Sequence, residues 1–297
     1  MDNIISKSEI LNLGFLEFKN NAVHDSFKIG KSKEDADDCI YWLKNLSFYR
    51  KFSSGVLIIS KEQYDELINS GNINPNIVHL ICSDRTPRLA FIQILTILAK
   101  TPDRTNYAYE HRSSASNVII MDNVHISKNV NIGEGTIIYP NVVIHEDVTI
   151  GKNCIIRENA CLGTHGMGFE KDMDGNWVRF PQIGGLIIGD NVEIGSHSDI
   201  KRAALDNTII GDNCKLGSYT NIGHNCEIGK NSIFTSHCVV AGSNVIGENF
   251  YCGINASIKN GIKIGDDVML GANSFLNKNA IGRHTYIGSP ATIIEHK

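Results

Sequence analysis

The sequence predicts a mostly β protein: a parallel β-helix built on a hexapeptide repeat, preceded by a small α/β domain. Three observations predict it. Of 297 residues, 43 are Ile, 31 Asn and 27 Gly, a composition narrow enough to imply a short repeated unit. From residue 118 apolar triplets recur every six residues. Before that point the chain alternates short apolar runs with helical patterns instead.

The first 107 residues form the expected α/β domain. Gly55–Ser60 (GVLIIS) and Ile77–Cys82 (IVHLIC) suit buried strands. Between them Ser60 and Gln63 make a capping-box pattern that starts a helix, and Gly71 stands where that helix should stop. A second helix is predicted from Pro87 to Lys100, with Leu89, Ile92, Leu95, Ile97 and Leu98 on its apolar side. The polar stretch Thr101–Asn117 holds the linker, residues 108–117.

Residues 118–297 carry the repeat. The third residue of each triplet runs Ile120, Ile126, Ile132 and onward by sixes to Leu162, resumes at Ile188, Ile194 and Ile200, and after four extra residues continues from Ile210 to Leu276. After one more slip come Ile281, Ile287 and Ile293. A period of six fits neither a helix nor one long strand, but it fits short strands separated by tight corners. Gly and Asn follow the triplets at fixed places, and both accept the left-handed backbone such corners need. Inward Ile, Leu and Val then stack from coil to coil.

Charge and cysteine usage exclude several classes. A net charge of −4 without Lys/Arg runs is no nucleic-acid footprint. Met1–Leu16 lacks the grammar of a signal peptide, and no stretch of about 18 apolar residues is available to span a bilayer. The eight cysteines include no CxxC pair and point to a reducing, cytoplasmic setting. No metal is called for. No two histidines stand in an HxxxxH arrangement, and His165, His197 and His237 occupy the corner slot otherwise filled by Asn. Cys214, Cys226 and Cys238 recur at twelve residues, which is two hexapeptides of the repeat.

Chemistry is expected where the repeat is broken. The insertion 163–185, GTHGMGFEKDMDGNWVRFPQIGG, carries Met167, Phe169, Trp177, Phe180 and Pro181, and reads as a flap over a ligand groove or as a loop packed on its own coil or a neighbouring subunit. In Asn221–Cys226 (NIGHNC), His224 falls one residue past a corner glycine, so its ring projects from the wall. In the first domain, Trp42, Asn45 and Phe48 are either core residues or an aromatic clamp for a planar ring, with Asn45 offering a donor and an acceptor.

The repeat resembles that of the hexapeptide-repeat acyltransferases, which implies a left-handed, three-sided helix, about 18 residues per coil, and a homotrimer with sites between subunits. The order of α/β domain, linker, helix and flap, with the GNWV and PQIG blocks inside the flap and TNIGHNCEIG after it, is similar to the UDP-3-O-acylglucosamine N-acyltransferase family, which adds an acyl chain in lipid A synthesis. The resemblance makes His224 the general base and the Gly242 N–H the oxyanion donor. It makes Trp42, Asn45 and Phe48 the nucleotide clamp. Phe169, Trp177, Gln182, Asn221 and Asn225 are the other expected substrate contacts, and Ala241, Gly242 and Lys259 the expected contacts to acyl-CoA.

Two departures from that family stand in this sequence. Ala256–Ile262 lacks the family's second Gly-His pair, and Gly288–Ile294 (GSPATII) resembles the close of coenzyme-A-dependent acetyltransferases, with the chain ending at Lys297. They favour, as the leading expectation, acyl-CoA-dependent N-acylation of a dTDP- or UDP-linked amino sugar for surface polysaccharide (O-antigen). The alternatives are the lipid A enzyme itself, with acyl-carrier protein as donor, and a β-solenoid that binds without catalysis.

Overall fold

The computed structural model describes residues 4–19, 24–30, 36–99 and 117–294. The expected linker, 108–117, falls outside them except for Asn117. The chain divides into two compact units, residues 1–101 with 167–181, and residues 102–166 with 182–297.

The first unit is built on β1 (Ile4–Ser6), α1 (Lys7–Leu11), β2 (Leu16–Lys19), β3 (Ser26–Ile29), β4 (Cys39–Trp42), β5 (Gly55–Ser60), α2 (Lys61–Asn69), β6 (Ile77–Cys82) and α3 (Pro87–Leu98). Its six-stranded sheet runs β1-β3-β4-β5-β6-β2, parallel from β3 to β6 and antiparallel at both edges. The apolar run of β5 is central and buried from Gly55 to Ile59, as a strand covered on both faces must be. The capping box on Ser60 and Gln63 is present at the start of α2. At its end Gly71 takes φ +64° and donates to the Ile68 carbonyl, while Asn72 donates to that of Leu67, which satisfies two carbonyls the helix leaves open. Thr86 caps α3, and Leu89, Ile92 and Leu95 are buried there; Ile97, expected beside them, is exposed because Ala90, Phe91 and Ile94 face inward on the same helix.

Part of the insertion folds with this unit. Phe169–Lys171 and Trp177–Arg179 pair antiparallel. The turn between them is held by the Asp172 carboxylate, which accepts from the N–H groups of Asp174 and Asn176, with Gly175 at φ +86°. Arg88 of α3 pairs with Glu170, and Phe91 packs its ring 6.4 Å from that of Phe180. The whole insertion was expected to belong with the helix, but its hairpin packs on α3.

The second unit is a left-handed β-helix whose three walls contain ten, eight and seven strands. Each wall pairs residues 18 apart in parallel, as in Ile119 with Ile137 and Ile137 with Ile155. The inward ladder matches the six-residue pattern from Ile138 to Leu276 without exception. A second inward column, two residues before each ladder position, holds many small side chains, such as Thr136, Cys154, Ala160, Ser198, Thr208, Cys214, Cys226 and Cys238, beside the larger Leu186, Phe250 and Ile262. Its polar members are satisfied internally: the Thr136 hydroxyl donates to Gly151 O and the Asn244 amide to Ala241 O.

Two expectations fail at the edges of the repeat. Ile281, Ile287 and Ile293 are exposed, and Ala280 and Tyr286 point inward instead. The slip before them is one residue longer than the triplet pattern suggested: Leu270 pairs with Tyr286, and an antiparallel turn of Thr285–Gly288 onto Ala291–Ile293 closes this wall. His197 and His237 take the left-handed corner backbone at φ 60° and 62°, alongside many Asn, but His165 does not. It sits in the insertion, where no corner has to be turned.

Candidate functional site

Every interruption between Leu162 and Asn225 leaves the helix at one corner. The long insertion separates Cys161–Thr164 from Gly185–Ile188, and the four extra residues separate Asp199–Lys201 from Asn207–Ile210. On the next coil the same corner carries His224, and on the one after it Gly242. The walls resume their register across both insertions, as Ile155 opposite Glu193 and Ile187 opposite Ile209 demonstrate, with one shift at the rim of the long insertion, where Leu162 faces Ile200 and Thr164 faces Lys201.

The His224 ring is half-buried between two glycines. A Cβ on Gly242 would stand 2.8 Å from Nε2, and one on Gly166 would stand 2.6 Å from Cδ2 and 2.9 Å from the Gln182 amide nitrogen. Real Cβ atoms do not approach that closely, so both positions need glycine while the ring stays where it is. Gln182 is itself buried, and its Oε1 accepts the Gly166 N–H at 2.6 Å. Gly166 and Gln182, which lie near the two ends of the insertion, are therefore fastened to each other against the imidazole.

Electrostatics keep this imidazole neutral. Burial lowers the His224 pKa from the usual 6.5, and the nearby Lys201 ammonium lowers it further. Lys201 pairs with Asp199 at 2.6 Å, and Thr164 donates to the other oxygen of that carboxylate. His224 Nδ1 is buried and has no hydrogen-bond partner among the described residues. The nitrogen that faces Gly242 is the other one, Nε2, and on a neutral ring it can take a proton.

Gly242 contributes its backbone. Three residues at the equivalent place elsewhere in the helix, Lys152, Asp190 and Glu248, donate their N–H groups to an Asp of the next coil at 2.7–2.8 Å. In all three an N–H two residues past the end of a wall strand points outward to an anionic oxygen. The Gly242 N–H has no acceptor among the described residues, and it lies beside the imidazole. A base next to an outward amide donor is the arrangement acyl transfer requires.

The other expected contacts take varied places. Asn221 projects from the wall between Asp199 and Val239. Asn225 sits at φ 59° and uses its side-chain oxygen to accept the Ala204 N–H at 2.7 Å, which ties the short insertion to the residue after the histidine. Ala241 and Lys259 stack on consecutive coils, with Ala241 donating to Ile258 O and Lys259 exposed. In the first unit, Trp42 ends β4 and Asn45 caps a 3-10 helix, Leu46–Lys51, through its side-chain oxygen. Phe48 is 41% exposed on that helix, with the Lys51 ammonium 4.6 Å from its ring centre. On the hairpin, Trp177 is exposed with Lys171 over its ring, and Phe169 lies under Arg179. Sequence reasoning missed Gly166, Lys201 and Arg202. Gly166 was legible as the glycine next to His165 in a run that also holds Gly163 and Gly168; the two basic residues carried no signal.

Two family models match the helix: "Bacterial transferase hexapeptide (six repeats)" at residues 129–164 and 207–242, and "Hexapeptide repeat of succinyl-transferase" at 185–218 and 243–278. A UDP-3-O-acylglucosamine N-acyltransferase of Campylobacter concisus is 32% identical over 268 residues, covering 83% of this chain and 80% of the relative. One from Herminiimonas arsenicoxydans is 35% identical over 163 residues, covering 55% of this chain and 46% of the relative. The chain spans less than half the length of several of the curated relatives it matches. Among solved structures, UDP-N-acetylglucosamine acyltransferase from Campylobacter jejuni aligns with a TM-score of 0.52 at 23% identity, over 61% of this chain and 69% of that one, which speaks to the fold.

Proposed function

Because the chain belongs to the UDP-3-O-acylglucosamine N-acyltransferase family, we propose that it transfers an acyl group from a thioester to the amine of a UDP-linked, 3-O-acylated glucosamine. The relatives support this reading, weighed above as the alternative, better than the leading expectation of a surface-polysaccharide amino sugar. The observation that carries it is the neutral His224 imidazole standing against Gly242 at the corner where both insertions leave the helix.

In this reading His224 Nε2 removes a proton from the amine as its nitrogen attacks the thioester carbonyl. The Gly242 N–H receives the oxyanion of the tetrahedral intermediate. Collapse forms the amide and expels the thiolate, which recovers the proton from the imidazolium. Proton removal of this kind contributes roughly 10²- to 10⁴-fold, and one oxyanion donor about 10²- to 10³-fold. Trp42, Asn45 and Phe48 hold the uracil. Gln182, Asn221 and Asn225 border the sugar and its acyl chain, with Gln182 and Asn225 acting by fixing the backbone on either side of the base; Phe169 and Trp177 are substrate contacts that the family resemblance implies. Ala241 and Lys259 lie along the path of the donor.

Trimerisation belongs to the same proposal, supported by the apolar outward residues Ile119, Ile233, Tyr251 and Met269 along one wall, 37–52% exposed. A reducing, cytoplasmic setting accords with eight free cysteines. The test is a product assay: the purified protein is given UDP-3-O-acylglucosamine with the same acyl group on acyl-carrier protein or on coenzyme A, and the N-acylated product is read by mass spectrometry. Product with either donor is expected and identifies that donor. No product from either overturns the reading.

A further inference from the structure

Arg202 is the largest fully buried side chain among the described residues, 2% exposed, and it lies in the short insertion on the coil before His224. A guanidinium out of water is costly unless its donors are met. Here they are met by two separate segments, Glu146–Asp147 and Gly184. Nε donates to Gly184 O at 2.7 Å, Nη1 to the Glu146 carboxylate, and Nη2 to Asp147 at 3.2 Å. Its own backbone N–H donates to Thr164 O at 2.9 Å. Glu146 and Asp147 belong to the corner two coils below, Thr164 opens the long insertion, and Gly184 closes it.

The rest of the short insertion extends this lock toward the base. Ile183 and Gly184 both donate to Ala204 O, Ala203 donates to Gly185 O, and Ala204 donates to the side chain of Asn225, the residue after His224. From Gly184 the chain runs back two residues to Gln182, which holds Gly166 against the ring. The imidazole is thus gripped from the insertion side through Gln182 and Gly166, and from the backbone side through Asn225. Both grips pass through residues adjoining Arg202.

A buried apolar side chain would fill the same volume; it removes one partner of the ion pairs, and the Glu146 and Asp147 side chains left behind are 44% and 38% exposed, where water can take the place of the guanidinium. What an apolar side chain would not supply is the planar fork that sets the Glu146–Asp147 corner and Gly184 at fixed distances, while the Thr164 contact belongs to the backbone N–H. We infer that Arg202 is a positioning residue, which holds the two ends of the long insertion so that Gly166 and Gln182 keep the His224 imidazole against the Gly242 N–H. The inference rests on His224 being the base proposed above.

The groups facing the imidazole are Lys201 and, through it, Asp199, together with the uncharged Gly166, Gln182 and Gly242. Arg202→Met, matched in volume, and Arg202→Lys, which keeps the charge without the fork, separate position from folding. The first readout needs no substrate: the titration of His224 followed by NMR, assigned with His224→Ala. In the wild type the midpoint lies below 6.5. In folded Arg202→Met it is expected to move back to the ordinary range as water reaches the ring, with Arg202→Lys moving the same way. The second readout is kcat, expected to fall at least tenfold in both variants while KM for either substrate stays within about twofold. An unchanged His224 midpoint with unchanged kcat in either folded variant overturns the inference; should Arg202→Met fail to fold, Arg202→Lys decides alone. If His224→Ala retains kcat, the base reading and the positioning role fall together. If His224→Ala is inactive and the Arg202 variants behave as wild type, only the role of Arg202 falls.

Discussion

Gly242 has no side chain because His224 occupies the space one would need: a Cβ would stand 2.8 Å from Nε2 and 2.9 Å from Cε1. The relation is one of 18 residues in sequence and a single coil in space, so the helix itself delivers a base and a backbone donor to the same point. Gly242→Ala is expected to push the ring away without disturbing the wall, whose inward residues Val240 and Asn244 are untouched. We expect kcat to drop by about 10²-fold, the cost associated with a displacement near 1 Å, with the melting temperature nearly unchanged. A kcat within a factor of three of wild type would show that the two groups do not act together.

The pH dependence follows from the direction of the His224 shift. Burial and Lys201 both disfavour the charged ring, so its folded pKa lies below 6.5. As a base it works when neutral, and kcat/KM should rise through a midpoint below 6.5 and stay level above it. The same shift acts on stability. The unfolded chain binds this proton more readily, so the contribution of His224 is fully present above 6.5 and is lost as pH falls through the lower folded value. A rate profile whose only limb lies above pH 7 would exclude His224 as the titrating base.

For the first unit, Phe48→Ala should raise KM for the nucleotide sugar about tenfold, the scale of removing one aromatic ring stacked on a base, and leave kcat close to wild type. Phe48 is 41% exposed and caps no core, so its loss should not alter folding. Unchanged KM with intact folding would release the 3-10 helix from any part in binding.

Phe234 tests the interior. It is 1% exposed and meets Phe250 at 5.4 Å between ring centres, on two adjoining coils. Phe234→Ala should cost about 3–5 kcal/mol in denaturant unfolding, the range for emptying a buried aromatic site. A cost below about 1 kcal/mol would mean that the coils collapse to fill the gap.

How much could be read beforehand depended on which force set each feature. The ladder was legible from Ile138 to Leu276 because an inward place excludes water and tolerates only apolar bulk. The reading failed at Ile281 and Ile287 because the slip is one residue longer, and three isoleucines in a six-residue row still look periodic when the wall has turned into a hairpin. The small inward column was hidden because Thr136, Ser198 and Thr208 are polar; their hydroxyls are satisfied inside the coil, so polarity there says nothing about exposure. His224 and Gly242 stood out against the repeat and through the family resemblance. Arg202 did not, since a buried arginine and an exposed one are written with the same letter, and only the carboxylates of Glu146 and Asp147, more than fifty residues earlier, reveal which it is.

The wall holds register across an insertion of about twenty residues and another of four, with Ile155 opposite Glu193 and Ile187 opposite Ile209. Length is therefore absorbed at the corners, apart from a one-residue shift where the strand Cys161–Thr164 meets the long insertion. Such a corner works as a socket: a loop of different size or composition can be exchanged between its two rims while the scaffold above and below keeps the same spacing, about 4.8 Å per coil. New specificity can then be tried on this helix one loop at a time, without refolding the wall that carries the base.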